Sequence, residues 1–273
     1  MAKQGMRVAL IGYGEVGHIF ARDLLAAGCA RVSAYDILFE DAAAGPAHLA
    51  DARAAGVEPA STAAEAAAGA QLVISAVTAT ASLAVAGLAG GYLRAGQVFL
   101  DINSVSPETK LASAAAVEAA GAQYVEAAVM APVPGAGLAV PILLGGATAA
   151  QVAPGLTELG MNVRVVATQI GRASATKLCR SIVIKGLEAL MVDCAAAARD
   201  FGVEDDVFRS LQESFPSIDF ARLAQAMAGR VRQHGVRRAA EMREAAAMLA
   251  AVGRDPALAA AIAAAQERGA AKG

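Results

Sequence analysis

The chain has 273 residues and a formal net charge of -2. This length holds one large domain or two of ordinary size, and the charge argues against binding to a nucleic acid or to an anionic membrane surface. The three cysteines, Cys29, Cys179 and Cys194, form neither a CxxC pair nor a metal-binding set, so we expect a reducing, cytoplasmic location, no disulfide framework and no metal site.

Two segments bear on export and membrane insertion. The opening sequence MAKQGMRVALIGYG lacks the basic segment, long apolar core and cleavage site of a signal peptide. The uncharged stretch between Glu65 and Arg94 is mostly alanine, glycine, serine and threonine around one short aliphatic run, which is unlike a membrane span. We therefore expect neither export nor membrane insertion.

From Met6 to about Val166, short aliphatic runs alternate with longer alanine-rich stretches, the pattern of βα units that build a parallel sheet. Glycine and proline residues separate the runs. The predicted strands are RVALIG, RVSAYD, QLVISAV, QVFLDIN, the YVEAAVM run, PILLGG and NVRVV. The pattern predicts a doubly wound α/β domain with a mostly parallel sheet over residues 1–170.

After Gly171 the strand signals stop and the sequence is helical in character. One long helix is predicted over about 173–201 and a second over about 218–252, with a weak point near Gly235. Residues 171–273 are therefore predicted to form an all-α domain. Its mostly apolar helices are too few to bury every face in one small domain, so we expect a homodimer formed through them.

The first predicted strand runs into the motif GYGEVG, which opens a helix predicted over 18–27. Gly12 permits a tight turn, Gly14 lets the backbone approach a pyrophosphate, and Gly17 lets helix and strand pack closely. The strand before the motif and the helix after it supply the context that this Rossmann fingerprint requires. The predicted cofactor-binding residues of the motif are Gly12, Tyr13, Gly14, Glu15, Val16 and Gly17.

Asp36 ends the second predicted strand, close to the spacing of about 20 residues that the fingerprint requires. Its carboxylate can accept hydrogen bonds from the adenosine ribose hydroxyls and would repel a 2′-phosphate. No arginine stands in the next three residues, Ile37-Leu38-Phe39, to bind such a phosphate. We therefore expect NAD as the cofactor in preference to NADP. A glycine-rich turn beside a solvated aspartate is the alternative interpretation.

Five segments occur in the order found in the 6-phosphogluconate dehydrogenase-like, or β-hydroxyacid dehydrogenase, superfamily, which the chain resembles over nearly its whole length. They are GYGEVG, SAVTATAS, DINSVSPETK, VEAAVMAPVPGAGLAVPILLGG and GRASATKLCRS. The pairing of CRSIVIKGLEAL with HGVRRAAEMREAA is similar to a bacterial subgroup with a short, distinct C-terminal domain. The resemblance implies an NAD(P)-dependent dehydrogenase. It also implies further cofactor contacts at Val77, Thr78, Asn103 and Ser104, although ordinary turn residues are the alternative.

The resemblance places the family's central catalytic lysine at Lys177. Lys177, Ser181 and Lys185 recur every four residues on an otherwise apolar predicted helix, which indicates a cleft. An ammonium in a closed apolar cleft can lose its charge easily, so Lys177 can act as general acid or base during hydride transfer. A solvent-exposed helix lysine is the alternative. Ser181, where the family usually has asparagine, is the second candidate catalytic residue, and Lys185 is a candidate for substrate binding.

The expected substrate is a small organic anion. Where the family usually has a Ser-Gly-Gly turn that holds the substrate carboxylate, this chain has Met130, Ala131 and Pro132, which leaves the substrate's identity open. His234 and Arg238 are candidates for binding a carboxylate or phosphate. A solvated helix face with Arg–Glu pairs at helical spacing is the alternative, above all for the neighbouring Arg230 and Arg237.

Three functions remain open at this level. The favoured one is hydride transfer between nicotinamide and a small hydroxy acid or its oxo form, with Lys177 exchanging a proton. The altered turn at Met130 also allows reduction of an imine. It equally allows a non-catalytic NAD-binding module that senses redox state or binds a partner.

Overall fold

The computed structural model describes residues 5–271 and divides into two compact units, one that ends at Lys177 and one that begins at Leu178. The long helix α7 (Arg172–Asp200) contains the point of division. The domain boundary predicted between residues 170 and 171 stays a prediction.

The first unit is built on a sheet that has eight strands within the described residues, in the order β3-β2-β1-β4-β5-β6-β7-β8. Among the strand pairs of residues 5–271, only β6–β7 is antiparallel, and the others are parallel. The strands are β1 (Arg7–Ile11), β2 (Arg31–Tyr35), β3 (Glu58–Pro59), β4 (Leu72–Ser75), β5 (Val98–Asp101), β6 (Gln123–Val129), β7 (Pro141–Gly145) and β8 (Asn162–Ala167).

Helices connect these strands, as βα units require. They are α1 (Glu15–Ala26), α2 (Gly45–Ala54), α3 (Ala63–Ala67), α4 (Ala79–Tyr92), α5 (Pro107–Glu118) and α6 (Ala149–Glu158), with 3₁₀ turns at Ile37–Glu40 and Gly137–Ala139. In β1, Val8 and Leu10 belong to one buried cluster whereas Ala9 and Ile11 belong to another. The sheet is therefore buried on both faces, which explains why its strands appear as continuous aliphatic runs in the sequence.

The second unit is helical throughout its described part. It contains the remainder of α7, followed by α8 (Glu204–Ser214), α9 (Phe220–Ala251) and α10 (Ala257–Ala271). Within residues 5–271, no helix combines the length and apolar character needed to span a membrane. The predicted fold class, a Rossmann-type α/β domain followed by an all-α region, is confirmed.

Three details of the predicted elements were wrong. Strand β3 was not predicted, because two residues, Glu58–Pro59, carry no periodic signal. The first helix begins at Glu15, ahead of the predicted start at residue 18. The expected weak point near Gly235 is absent, since α9 runs through it. A Cβ at Gly235 would lie 2.3 Å from the backbone oxygen of Gln266 in α10, so this glycine permits close helix packing.

Candidate functional site

The glycines of the GYGEVG motif occupy different environments. Gly12 has a φ of +97°, and a Cβ there would lie 2.3 Å from the backbone oxygen of Ala76. A Cβ at Gly17 would lie 2.4 Å from the backbone oxygen of Gly12. Gly14, the N-cap of α1, has no atom within 4 Å of such a Cβ. Gly12 and Gly17 thus have no room for a side chain, whereas Gly14 lies in open space at the N-terminus of α1. Binding of a pyrophosphate by the motif stays a prediction.

Asp36 binds the glycine motif from the end of β2. Its Oδ2 accepts a hydrogen bond from the backbone N–H of Tyr13 at 2.6 Å, and its Oδ1 accepts one from that of Leu38 at 2.9 Å. Asp36 is half-buried, whereas Ile37 and Leu38 beside it are exposed. The carboxylate therefore lies next to the motif, and its contact with a ribose stays a prediction.

The side chains of the other motif residues differ in burial. Tyr13 is buried, and its ring centroid lies 3.9 Å from that of His18. Burial raises the pKa of the Tyr13 phenol. Val16 packs against the core, and Glu15 is exposed in the first turn of α1. Cofactor contact by these side chains stays a prediction.

Asn103 joins the loops that follow β4 and β5. Its Oδ1 accepts a hydrogen bond from the backbone N–H of Val77 at 2.8 Å. Its Nδ2 donates to Asp101 Oδ1 at 2.7 Å, to Ser75 Oγ at 2.9 Å and to Ser82 Oγ at 3.3 Å. Both polar atoms of this buried amide have partners within the protein, so Asn103 holds the two loops together. Cofactor contact by Val77, Thr78, Asn103 and Ser104 stays a prediction.

Lys177 lies at the loop after β5. Its Nζ donates a hydrogen bond to the hydroxyl of Ser104, and both side chains are half-buried. The structure therefore brings the predicted catalytic lysine to a predicted cofactor-contacting residue. Thr78 is exposed on the neighbouring loop, where its hydroxyl is 3.1 Å from that of Thr80.

Sequence reasoning missed a buried charged cluster beneath these loops. Lys110 Nζ lies 2.9 Å from Asp101 Oδ1 and donates to the Asp101 backbone oxygen at 2.9 Å, while the Tyr124 hydroxyl donates to Asp101 Oδ2 at 2.7 Å. Burial, followed by the adjacent Asp101 charge, raises the pKa of Tyr124 well above its ordinary value. Two features of the sequence could have indicated this cluster: Asp101 lies near the end of a predicted strand, and Lys110 lies near the start of the helix that follows it.

The segment that replaces the expected Ser-Gly-Gly turn is partly apolar. Met130 packs against the cluster of Ala128, Leu143 and Ala173, whereas Ala131 and Pro132 are exposed. Met130 also lines a cavity of about 340 Å³ with residues of β7, residues of β8 and Thr176. A role for these three positions in substrate binding stays a prediction.

In the second unit, Ser181 and Lys185 share the carboxylate of Glu241. The Ser181 hydroxyl donates to Glu241 Oε1 at 2.6 Å, and Lys185 Nζ lies 3.0 Å from the same oxygen. Burial lowers the pKa of Lys185, whereas the charge and the hydrogen bond of Glu241 act in the opposite direction. The positive charge of Lys185 thus has a partner within its own unit.

Arg238 is likewise paired. Its guanidinium lies 2.7 Å from Glu188, whose side chain is fully buried and also accepts from Gln266 at 3.3 Å, with Arg230 3.7 Å away. His234 is exposed on α9. Catalysis by Ser181 and substrate binding by Lys185, His234 and Arg238 stay predictions. Sequence reasoning had missed Glu188 and Gln266 as partners, because they lie on α7 and α10.

Comparison with known proteins places this geometry in a family. Residues 7–171 match the model described as the NAD binding domain of 6-phosphogluconate dehydrogenase. Residues 198–269 match a domain of unknown function, DUF1932.

Solved structures resemble the chain over nearly its whole length. A conserved hypothetical protein from Sinorhizobium meliloti 1021 is 38% identical, with 97% of this chain and 89% of that chain covered and a TM-score of 0.81. The conserved protein MTH1747, of unknown function and described as structurally similar to 3-hydroxyacid dehydrogenases, is 31% identical, with 97% and 96% covered and a TM-score of 0.77. The 3-hydroxyisobutyrate dehydrogenase of Mycobacterium tuberculosis shares the fold at 19% identity, with 98% and 94% covered and a TM-score of 0.79.

A curated relative is similar over a shorter stretch. An uncharacterized 28.5 kDa protein of Methanothermus fervidus is 27% identical over 143 residues, which are 52% of this chain and 54% of that protein. The chain therefore spans about half the length of this curated relative. The match to residues 7–171 confirms the resemblance predicted from the sequence: the chain belongs to the 6-phosphogluconate dehydrogenase-like superfamily and carries its NAD-binding domain.

Proposed function

We propose that the chain is an NAD-dependent oxidoreductase that transfers hydride between nicotinamide and a small hydroxy acid or its oxo form, with Lys177 as general acid and base. The contact between the Lys177 amine and Ser104 carries this proposal, because it puts a proton-exchanging group beside loops of an NAD-binding domain. The similarity of MTH1747 to 3-hydroxyacid dehydrogenases supports the substrate class.

The residues divide the work of binding and reaction. The open backbone at Gly14 and the N-terminus of α1 would hold the pyrophosphate of NAD, and Asp36, which lies against the motif, would accept hydrogen bonds from its ribose. Asn103 fixes the Val77 backbone. Bound NAD supplies the hydride acceptor or donor.

Proton exchange falls to Lys177. As the hydroxyl-bearing carbon loses hydride, Lys177 Nζ removes the hydroxyl proton and the C–O bond becomes a carbonyl. In the opposite direction, the protonated amine donates to the carbonyl oxygen. The hydrogen bond to Ser104 orients the amine for both steps.

A substitution series tests this assignment. We expect Lys177→Ala to lower kcat by about 10³-fold and leave the Kd for NADH nearly unchanged, because the lost group acts only on the reacting substrate. The matched control is Arg172→Ala, which removes an exposed positive charge from the same helix. The assay follows reduced nicotinamide absorbance with hydroxy acids, sugar acids and cyclic imines.

The outcomes separate the alternatives. Undiminished turnover in Lys177→Ala would show that Lys177 is not the general acid and base. Turnover of cyclic imines alone would assign the chain to imine reduction. Binding of NADH without turnover of any compound would identify a redox-sensing or partner-binding module.

The further proposals concern the whole protein. We infer that the protein is a cytoplasmic homodimer formed through the C-terminal helices. We also infer that its substrate is a small organic anion. The exposed apolar side chains Val183, Leu187 and Leu190, at helical spacing on α7, support a dimer. The cysteines form no disulfide among the described residues, which agrees with a reducing compartment. Sedimentation as a monomer at micromolar concentration would reject the dimer.

A further inference from the structure

Glu126 is a fully buried carboxylate in β6 whose two oxygens bind the first turn of α7. Its Oε2 accepts a hydrogen bond from the backbone N–H of Gly171 at 2.7 Å, and its Oε1 accepts one from that of Ser174 at 2.6 Å. These N–H groups lack partners within the helix and carry its positive dipole end. The negative charge therefore lies where it binds the helix most strongly.

The surroundings leave this carboxylate little freedom. A Cβ on Gly145 in the neighbouring strand would lie 2.6 Å from Glu126 Oε2. Gly171 has a φ of +94°, and a Cβ there would lie 3.0 Å from the Cβ of Pro107. The Ser174 hydroxyl donates to the Gly171 backbone oxygen at 3.1 Å and closes the turn. Strand and helix are thus joined at one fixed position.

Lys177 follows this anchored turn by three residues on the same helix. Each residue of an α-helix advances about 1.5 Å and turns by about 100°, so a shift of the first turn moves the Lys177 side chain by a similar amount. The amine must reach Ser104 on the loop after β5. Its position therefore depends on how the first turn of α7 is held against β6.

We propose that Glu126 is a positioning residue, whose buried carboxylate fixes the start of α7 and thereby holds the amine of Lys177 at Ser104. The consequence for turnover rests on the proposed function, whereas the position of the amine does not. Glu126 acts through Lys177 and has no contact with the reacting atoms in this proposal.

The test compares Glu126→Gln with Ser33→Ala. The glutamine has nearly the same shape but no charge, and its amide presents an N–H₂ donor to one of the two backbone donors. Ser33→Ala is the control, because it removes a buried hydrogen bond to the Ala66 oxygen, 2.7 Å long, at β2. Gly145→Ala is a second variant that displaces the carboxylate and keeps its charge.

The first measurement is independent of turnover. Reductive methylation with formaldehyde and dimethylamine–borane is followed by mass spectrometry at Lys177 and Lys110. We expect Lys177 to react roughly fivefold faster in Glu126→Gln and in Gly145→Ala than in the wild type, because its helix turn opens more readily. Lys110 should react as before in both variants, and Lys177 should react as before in Ser33→Ala.

The second measurement is turnover of the hydroxy acid identified in the screen. In both site variants kcat should fall by about 10-fold or more, with KM and the Kd for NADH nearly unchanged, because a small misplacement of the amine affects the chemical step. Unchanged labelling at Lys177 in folded variants would overturn the proposal. The proposal would also be overturned if Ser33→Ala lost as much Tm as the two site variants and showed the same increase in labelling at Lys177. Glu126 would then have a purely structural role.

Discussion

The side-chain oxygen of Asn103 accepts the backbone N–H of Val77 at 2.8 Å, across an interval of 26 residues. The amide nitrogen of Asn103 is bound in turn to Asp101, which the buried Lys110 and Tyr124 hold. A chain of hydrogen bonds thus runs from the sheet interior to the Val77 backbone. Asn103 thus tethers the two loops, and its predicted contact with the cofactor stays a prediction.

Asn103→Ala should therefore weaken NADH binding by about 10-fold, because the Val77 N–H loses its acceptor and the loop after β4 becomes free to move. Fluorescence titration of NADH measures the effect. Gln151→Ala, at an exposed position in α6, is the control and should bind as the wild type does. Unchanged affinity in Asn103→Ala would show that the tether is dispensable for the cofactor.

Local signals explain what the sequence could predict of the fold and site. The roles of Gly12 and Gly17 follow from steric rules over a few residues, and both glycines stand where a Cβ would meet backbone. The pairing of Asp101, Lys110 and Tyr124 joins β5, α5 and β6. Only the assembled sheet brings these three side chains together, so no spacing in the sequence marks them.

Asp36→Asn should lower the ratio of the Kd for NADPH to the Kd for NADH by about 10-fold. NADPH should bind more tightly, since the charge that repels its 2′-phosphate is removed. Paired titrations with both cofactors give the ratio. Asp41→Asn is a suitable control, because Asp41 is exposed and also accepts backbone N–H groups, which lower the pKa of its carboxyl group. An unaltered ratio of the two Kd values in Asp36→Asn would show that Asp36 does not determine which cofactor the protein prefers.

The basic residues of α9 show a second limit of sequence reasoning. The alternative to anion binding was a set of Arg–Glu pairs at helical spacing on a solvated face, and such spacing cannot identify a partner on another helix. Glu188 lies on α7, and its contact with Arg238 depends on how α7 and α9 pack. The charge of Arg238 is therefore compensated by a group far from it in the sequence.

Arg238→Ala should lower the free energy of unfolding by about 3 kcal/mol, because the buried Glu188 carboxylate loses its 2.7 Å partner. Among residues 5–271 it then keeps the longer contacts with Arg230 and Gln266. Urea unfolding at neutral pH provides the measurement. The neighbouring Arg237 is exposed, so Arg237→Ala should change stability little. Replacing Glu188 and Arg238 together by leucine should restore much of the loss. If Arg238→Ala proves as mild as Arg237→Ala, the ion pair has no such role.

Tyr92, at the end of α4, should make the stability of the folded state depend on pH under alkaline conditions. Burial raises the pKa of its phenol to about 12, and its hydroxyl has no hydrogen-bond partner among the described residues. Below pH 10 both folded and unfolded states keep the proton. Between pH 10 and about 12 the unfolded state releases it while the folded state retains it, so the folded state loses stability as pH rises.

Tyr92→Phe should remove this loss. Urea unfolding at about pH 8 and pH 11 should show a decline in the wild type that exceeds the variant's by about 1 kcal/mol, the value of one pKa unit. At pH 8 the variant should be as stable as the wild type or more so, because it no longer buries an unpaired hydroxyl. An identical decline in both proteins would mean that the Tyr92 phenol titrates alike in the folded and unfolded chain. A large loss at pH 8 would instead reveal a hydrogen bond to the Tyr92 hydroxyl.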